Sequence, residues 1–252
     1  MTKTEQLEEL FEEWMQEQSK EDDESIKITK IASENITKEH FCKDGIISEE
    51  KYNSQKYKVL FIAKEPNIEQ DCEDIITSQN DYFRDYYRDK VDKSGGHIRI
   101  NTCKYYMWMF PEKENDNRYS VAKDFAFMNL NKRGGGEKAD DEKIAAYCRK
   151  YKKYIIREIE IIDPDIIVWL GLGTFEAIQN SKEKIFNIKI GVEGEKGGKY
   201  YFVIGNKEIP LLKEYHPSYS QSNSNDIIIN DEYKKKHIKD NFKMFEDELG
   251  LL

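Results

Sequence analysis

Short apolar runs alternate along the chain with longer amphipathic segments. Residues 59–62 form a continuous run of strand-forming apolar side chains, and Pro66 follows shortly after it. Because proline lacks the backbone N–H that a ladder needs, this pattern predicts a buried strand that ends before Pro66. Comparable runs predict further strands at residues 124–130, 165–171, 185–191 and 200–204 and in the segment that begins at residue 209.

Four segments carry the spacing of amphipathic helices. In residues 4–18 the apolar side chains recur at i, i+3, i+4 and i+7, with glutamates on the opposite face. Helices are also predicted at residues 140–162, 172–180 and 231–249. Strands that alternate with helices indicate an α/β fold, here a three-layer αβα sandwich with a central, mostly parallel sheet. We divide the chain into an acidic amphipathic helix at residues 1–25 and a single α/β domain at residues 26–252.

Length and composition narrow the class of protein. A chain of 252 residues can bury one substantial core, and nothing in its composition requires a second one. It has no apolar run of roughly 18 residues and opens with no secretory signal, so we expect a soluble cytoplasmic protein without a membrane segment. The four cysteines and four histidines show no C-x-x-C or i, i+4 pairing, so we expect no disulfide framework, metal or cofactor.

The acidic charge is concentrated at the amino terminus. Residues 1–25 carry −8 of the formal net charge of −9, so the remainder is nearly neutral. The net charge alone is unfavourable for binding a phosphate backbone, but a nearly neutral body leaves room for a basic face. We interpret the amino-terminal helix as packed on the body with a solvated acidic back, and keep a DNA-mimicking or partner-binding arm as the alternative.

Candidate reactive side chains stand where predicted strands end. Glu65, Asn129 and His216 each follow a different apolar run, and open α/β sheets bind ligands at the carboxyl ends of their strands. A carboxylate and a histidine with nearby amides can activate water on one side of a bond and stabilise a leaving anion on the other. This arrangement is typical of a hydrolase, although no G-x-S-x-G or Walker motif occurs.

Each of these residues also has a structural interpretation. Glu65 can be a surface loop acid, and His216 a histidine satisfied by the backbone. Asn129 can cap a turn, and Asn131, two residues further on, is an alternative for the strand-end amide. The loop at Lys132, Arg133 and Gly134 combines cations with glycines, which suits a phosphate as well as it suits plain solvent.

Four segments occur in an order that resembles the uracil-DNA glycosylase superfamily. They are A-K-E-P-N at residues 63–67, F-M-N-L-N-K at 127–132, I-I-D-P-D-I-I-V-W-L-G at 161–171 and L-L-K-E-Y-H-P-S at 211–218. Members carry a first motif of G-x-[D/E/A/N]-P type, a strand ending in L-G, and a second motif that begins H-P-S. The resemblance runs from about Lys58 to Ser220.

The resemblance implies a role for each motif residue. Glu65 would orient the attacking water, His216 would donate to the carbonyl of the departing base, and Asn129 would read the pyrimidine edge. The substrate pocket would further include Ala63, Lys64, Pro66, Asn67 and Phe83. Contacts with DNA would come from Lys132, Arg133, Gly134, Pro217, Ser218, Tyr219 and Ser220, with Tyr219 as a candidate wedge. Tyr82, Trp108 and Tyr119 are alternatives to Phe83 for stacking on the base.

The activity that the resemblance implies is hydrolysis of the N-glycosidic bond of a flipped-out uracil or modified pyrimidine. The product is an abasic site, the partner is single- or double-stranded DNA, and we expect a monomer without a lysine Schiff base. A catalytically silent DNA-binding or regulatory member of the same fold is the alternative.

Departures from the family pattern bear on the substrate and on a cofactor. Ala63 replaces the usual glycine, and Asn67 replaces a tyrosine that excludes 5-substituted bases, so a bulkier modified pyrimidine is admitted. The implied role is then DNA repair or defence against phage DNA with modified cytosine. Cys148 lies near a ligand position of the iron–sulfur branch, but no cysteine follows Lys132 and no C-x-x-C exists, so no cluster is expected.

Overall fold

The computed structural model describes most of the chain. The described residues are 1–20, 40–66, 76–78, 97–133, 139–194, 197–217, 221–222 and 228–250. Six predicted site residues lie outside them, namely Asn67, Phe83, Gly134, Ser218, Tyr219 and Ser220.

Helices and strands alternate along the described chain. The helices are α1 (Lys3–Gln18), α2 (Glu49–Asn53), α3 (His97–Met109), α4 (Arg118–Val121), α5 (Asp141–Lys150), α6 (Lys152–Ile162), α7 (Leu172–Gln179) and α8 (Asp231–Lys243), with a 3-10 turn at Pro111–Lys113. The strands are β1 (Phe41–Lys43), β2 (Gly45–Ile46), β3 (Val59–Ala63), β4 (Ile76–Ser78), β5 (Ala126–Asn129), β6 (Ile166–Leu170), β7 (Ile188–Gly194), β8 (Gly197–Ile204), β9 (Lys207–Glu214), β10 (Gln221–Ser222) and β11 (Ile228–Ile229). No helix in these stretches is long and apolar enough to cross a membrane.

Within the described chain, seven strands form one mixed sheet in the order β2-β5-β3-β6-β9-β8-β7. The four central strands, β5, β3, β6 and β9, run parallel, whereas β2, β8 and β7 pair antiparallel at the flanks. In register, Ile62 lies between Met128 and Trp169, and Trp169 pairs with Lys213. Parallel pairing in this register places the carboxyl ends of the four central strands at one edge.

Strand β3 is buried on both of its faces. Leu60 and Ile62 belong to one hydrophobic core, with side chains of α1, α5, α6 and α7, whereas Val59 and Phe61 belong to a second core with α3, α4 and α8. Successive side chains of a strand point to opposite faces, so a continuous apolar run is what a centrally placed parallel strand requires. The predicted α/β class with helices on both sides of the sheet is therefore present.

The predicted helix at residues 140–162 is two helices. The backbone leaves helical geometry at Tyr151, where φ is −101° and ψ is 18°, and α6 begins at the next residue. The Tyr151 ring stays fully buried, with its centroid 4.6 Å from that of Tyr147. Because both helices press the same apolar face against the sheet, the hydrophobic period continues across the break and conceals it.

The predicted amino-terminal helix is confirmed as α1 and packs on the body. Thr2 and Glu5 form a capping box at its start, in which the Thr2 N–H donates to Glu5 over 2.7 Å and the Glu5 N–H donates to Thr2 over 3.1 Å. The apolar face of α1 lies in the first core through Leu7, Leu10, Phe11 and Trp14. This helix is therefore part of the main fold and not a separate arm.

A buried ion cluster lies beneath α1. The fully buried Lys132 ammonium contacts Asp44 and lies 3.0 Å from Glu158 Oε1. Burial and the proximity of Asp44 raise the pKa of Glu158 well above its ordinary range. Burial opposes the charge on Lys132, but Asp44 and Glu158 outweigh it, so the pKa of Lys132 is raised. Two carboxyl groups therefore share one buried ammonium, and burial favours the neutral form of Glu158.

We predict that Lys132→Met lowers the free energy of unfolding by about 3–5 kcal/mol, because it leaves a buried carboxylate without its counter-ion. Glu158→Gln is the matched control and changes it by less than about 1 kcal/mol, since burial favours the neutral form of Glu158 and the amide has the same shape. Urea unfolding at pH 7 measures both. Equal losses in the two variants would contradict this assignment of charge.

Candidate active site

The order of the strands reverses at the centre of the sheet. The chain passes from β3 to its neighbour β5, and then crosses over β3 to reach β6 on the other side. In open α/β sheets such a switch point opens a crevice at the carboxyl ends of the strands, and ligands bind there. Glu65, Asn131 and His216 each lie two residues beyond the end of a central strand, β3, β5 and β9 respectively.

Glu65 contacts Asn131 directly. The β3–β5 ladder continues past both strands, because Leu130 N–H donates to Ala63 O and Asn131 N–H donates to Lys64 O, each over 3.0 Å. This continuation places Asn131 Nδ2 at 2.9 Å from Glu65 Oε2. The side-chain oxygen Oδ1 of Asn131 accepts from the Arg133 backbone N–H over 3.0 Å, which fixes the orientation of the side-chain amide.

Asn129 is not the amide of this site. Its backbone N–H and its Nδ2 both donate to Asp44 Oδ2, over 2.7 and 3.2 Å, and its side chain is buried. Asp44 is the carboxylate that also pairs with Lys132, so Asn129 belongs to the ion cluster in the core. In the structure Asn131, and not Asn129, lies next to Glu65.

Burial changes the protonation behaviour of Glu65. Burial raises the pKa of Glu65 to about 7, since a charged carboxylate loses hydration there. The hydrogen bond from Asn131 and the charge of Lys64 act in the opposite direction, whereas Asp140 and Asp141 raise the pKa further. Glu65 therefore exchanges its proton near neutral pH, which is where a general acid or base is most effective.

His216 stays neutral over the same range. Burial, followed by the charges of Lys64 and Lys234, lowers the pKa of His216 to about 4, although Asp141 favours the charged form. A neutral imidazole carries one N–H donor and one acceptor nitrogen. It can therefore donate a hydrogen bond to a developing anion at neutral pH.

The backbone on both sides of His216 is anchored by α3 and α8. Tyr105 Oη donates to Tyr215 O over 3.1 Å. The Pro217 carbonyl accepts from Asn101 Nδ2 at 2.7 Å and from the buried Lys234 Nζ at 3.0 Å. Two helices on one face of the sheet thus hold the backbone on both sides of His216.

Sequence reasoning missed Asp141, an acid that lies between the Glu65 and His216 segments and acts on the pKa of both residues. Lys64 Nζ lies 2.8 Å from Asp141 Oδ1, and Thr174 Oγ1 donates to the same oxygen. The side chain of Lys64 passes over Gly171, where a Cβ would lie 2.7 Å from Lys64 Cε. The φ of Gly171 is +117°, which also favours glycine at this position. Lys64 and Asp141 affect the pKa of both Glu65 and His216, so the two residues share one electrostatic environment. The only sequence signal for Asp141 was its position as an acidic residue at the start of a predicted helix.

A second carboxylate–imidazole pair lies beneath the His216 segment. His237 Nδ1 is 2.7 Å from Oε2 of the fully buried Glu214, and Asn241 Nδ2 donates to Glu214 Oε1 over 2.7 Å. Burial opposes the charge on His237, but Glu214 outweighs it and raises the pKa of His237. The backbone carbonyl of Glu214 accepts from the Gly171 N–H over 2.8 Å, which joins the end of β9 to the end of β6.

The structure buries two residues that were predicted to contact DNA, Lys132 and Arg133. Lys132 is fully buried in the ion cluster, and the buried Arg133 guanidinium lies 6.0 Å from the ring centroid of Tyr147. Neither side chain has the exposed surface that contact with a phosphate backbone needs. Of the remaining predicted residues, Ala63, Pro66 and Pro217 are buried at the strand ends.

No protein-family model matches the chain, and no curated protein matches it. Across the described residues no group of three or more His, Cys, Asp or Glu side chains is arranged to hold a metal ion. Function is therefore inferred from the geometry and charge of the strand ends.

We predict that Glu65→Gln stabilises the protein at high pH. The pKa of Glu65 in the fold, about 7, lies above its ordinary 4.5, so the native protein loses stability as pH rises through this window. The glutamine variant does not lose it and gains about 1–3 kcal/mol over wild type at pH 8, but nothing at pH 4. Thermal and urea unfolding across pH 4–8 measure the difference, and a difference independent of pH would contradict the assignment.

Proposed function

We propose that the protein is a monofunctional DNA glycosylase with a uracil-DNA glycosylase-like fold. It hydrolyses the N-glycosidic bond of a flipped-out uracil or modified pyrimidine and leaves an abasic site. The observation that carries the proposal is a carboxyl group with a pKa of about 7 and a neutral imidazole, both at the carboxyl ends of central parallel strands. The resemblance of A-K-E-P-N and H-P-S to the superfamily motifs supports it independently.

Glu65 is the residue that orients the attacking water. The Asn131 amide holds Glu65 Oε2, which directs the other carboxylate oxygen towards a water molecule. As the bond to the base breaks, positive charge develops on the sugar, and an ionised carboxylate nearby stabilises that charge. Because this role needs the ionised form, activity follows the deprotonation of Glu65.

His216 stabilises the departing base. Negative charge grows on the carbonyl oxygen of a leaving pyrimidine, and a neutral imidazole N–H is a donor that requires no prior protonation. Anchoring of the neighbouring carbonyls by α3 and α8 keeps this donor in a fixed direction. A donor already in position needs no reorganisation during the reaction.

Lys64 has a structural role in this mechanism. Its ammonium is paired with Asp141 at 2.8 Å, which supports hydrolysis by water over attack by a lysine amine. Asn67, in place of a tyrosine that excludes 5-substituted bases, supports a modified pyrimidine as substrate. The role is then repair of DNA or defence against phage DNA that carries modified cytosine.

Base release is the decisive measurement. Oligonucleotides bearing uracil, hypoxanthine, 5-hydroxymethylcytosine or glucosylated cytosine are incubated with the protein, and free base is quantified. We expect release from at least one of them, and a loss of about a hundredfold or more in Glu65→Gln and in His216→Ala. Glu176→Gln, an exposed acid on α7, is the control and retains full activity.

The alternative outcomes are distinct. DNA binding without release of any base would point to the catalytically silent alternative. Release that survives in both site variants would overturn the roles of Glu65 and His216. Trapping of the protein on cleaved DNA by borohydride would show a Schiff base and contradict the monofunctional mechanism.

The pH dependence of the rate tests the protonation states. We expect the rate to rise with pH through a midpoint near 7, because Glu65 must be ionised. His216 has a pKa of about 4, so it adds no second transition above pH 5. A rate that falls as pH rises through 7 would show that Glu65 acts as a protonated acid.

A further inference from the structure

The buried ion cluster lies one residue from the candidate site. Lys132 follows Asn131, whose amide donates to Glu65 over 2.9 Å. Its ammonium is held in the core by Asp44 and by Glu158, 3.0 Å away at Oε1. The backbone turns at Lys132 and Arg133, directly after Asn131. The burial of Lys132 therefore fixes the chain next to the residue that faces Glu65.

The backbone of this segment is held from both sides. On one side, the Cys42 N–H donates to Lys132 O over 2.7 Å, and Asp44 accepts from the Asn129 N–H over 2.7 Å. On the other side, the Asn131 N–H donates to Lys64 O over 3.0 Å. The position of Asn131 is therefore set by the ion cluster and by β3 together.

The amino-terminal helix closes the cluster from above. Lys132 Nζ lies 5.5 Å from the ring centroid of Phe11 and 5.4 Å from that of Trp14, both of which belong to α1. Trp14 in turn stacks on Tyr154 with centroids 5.4 Å apart. Without α1 the ammonium would lose both aromatic faces and would be open to water.

We propose that Lys132 is a positioning residue, which holds the segment that presents Asn131 to Glu65 and makes the docking of α1 a condition for the site geometry. The inference rests on the proposed function of Glu65. Buried ion pairs contribute little net stability compared with apolar packing, and their best-attested use is to select one geometry. The ion cluster selects the register of residues 129–132 in this way.

The test follows the protonation of Glu65 without any DNA. Carbon-detected NMR records the side-chain carboxyl signals across pH 4–9, and Glu65→Gln identifies the Glu65 signal. The pKa of Glu65 responds to burial, Asn131, Lys64, Asp140 and Asp141, none of which belongs to the ion cluster. Loss of the Lys132 charge alone would raise the pKa of Glu65 through space, whereas loss of the Asp44 charge alone would lower it. A rise in both variants therefore identifies displacement of the segment.

We expect Lys132→Met and Asp44→Asn to raise the Glu65 midpoint by about 0.5 pH unit or more, because the bond from Asn131 favours the ionised carboxylate. Asn131→Ala sets the full size of that effect. Glu158→Gln is the matched control inside the cluster and leaves the midpoint unchanged. Lys43→Met is the control for α1, since it removes the surface pairs with Glu8 and Glu12 and leaves the apolar face of α1 intact.

A folded Lys132→Met protein with an unchanged Glu65 midpoint would overturn the proposal. If that variant does not fold, Phe11→Leu gives a milder test, in which a shift in the same direction supports the proposal and an unchanged midpoint overturns it. The result is independent of catalysis. Absence of base release in wild type would end the glycosylase proposal, whereas an unchanged midpoint in an active enzyme would end only the role of Lys132.

Discussion

The parallel pairing of β3 between β5 and β6 is the constraint on which the rest of the structure depends. Both faces of β3 are buried, so its sequence is apolar throughout and its first polar side chains appear only where the strand ends. Parallel neighbours in register then bring their own ends to the same edge. The candidate site is the direct result, since the carboxyl ends of β3, β5 and β9 supply Glu65, Asn131 and His216.

Burial at this edge of the sheet favours the neutral forms of both Glu65 and His216, and so shifts their pKa values in opposite directions. A carboxylate and an imidazolium both lose hydration near the sheet, so the pKa of Glu65 rises to about 7 and that of His216 falls to about 4. The usual order of the two groups is thereby reversed. At neutral pH the carboxyl group exchanges protons while the imidazole remains a neutral donor, which is a division of roles suited to cleavage with an anionic leaving group.

Charged side chains in and beside the core hold the ends of the strands in position. Lys132, Asp44 and Glu158 replace what could have been apolar contacts under α1, and they hold the chain next to Asn131. On the other side of β3, the Lys64–Asp141 pair ties the end of that strand to α5 and, through Thr174, to α7. The ends of β3 and β5 are thus held by ionic contacts on the two sides of the site.

The sequence by itself determined the α/β class of the fold and the strand ends at which the candidate residues lie. Strand periodicity and the prolines located the ends of β3 and β9, and with them Glu65 and His216, because these signals are local. The periodicity of residues 140–162 concealed the break at Tyr151, and α3 escaped prediction because buried side chains such as Tyr105 and Tyr106 occupy more than one of its faces.

Only the tertiary structure decided which amide faces Glu65 and which cations face solvent. Asn129 and Asn131 look alike in the sequence, and Lys132 and Arg133 read as a basic loop. Their roles depend on Asp44, Glu158 and α1, which are distant along the chain and reach these residues only through packing. Burial, and with it the pKa of each group, is a property of the assembled core and is absent from any local pattern.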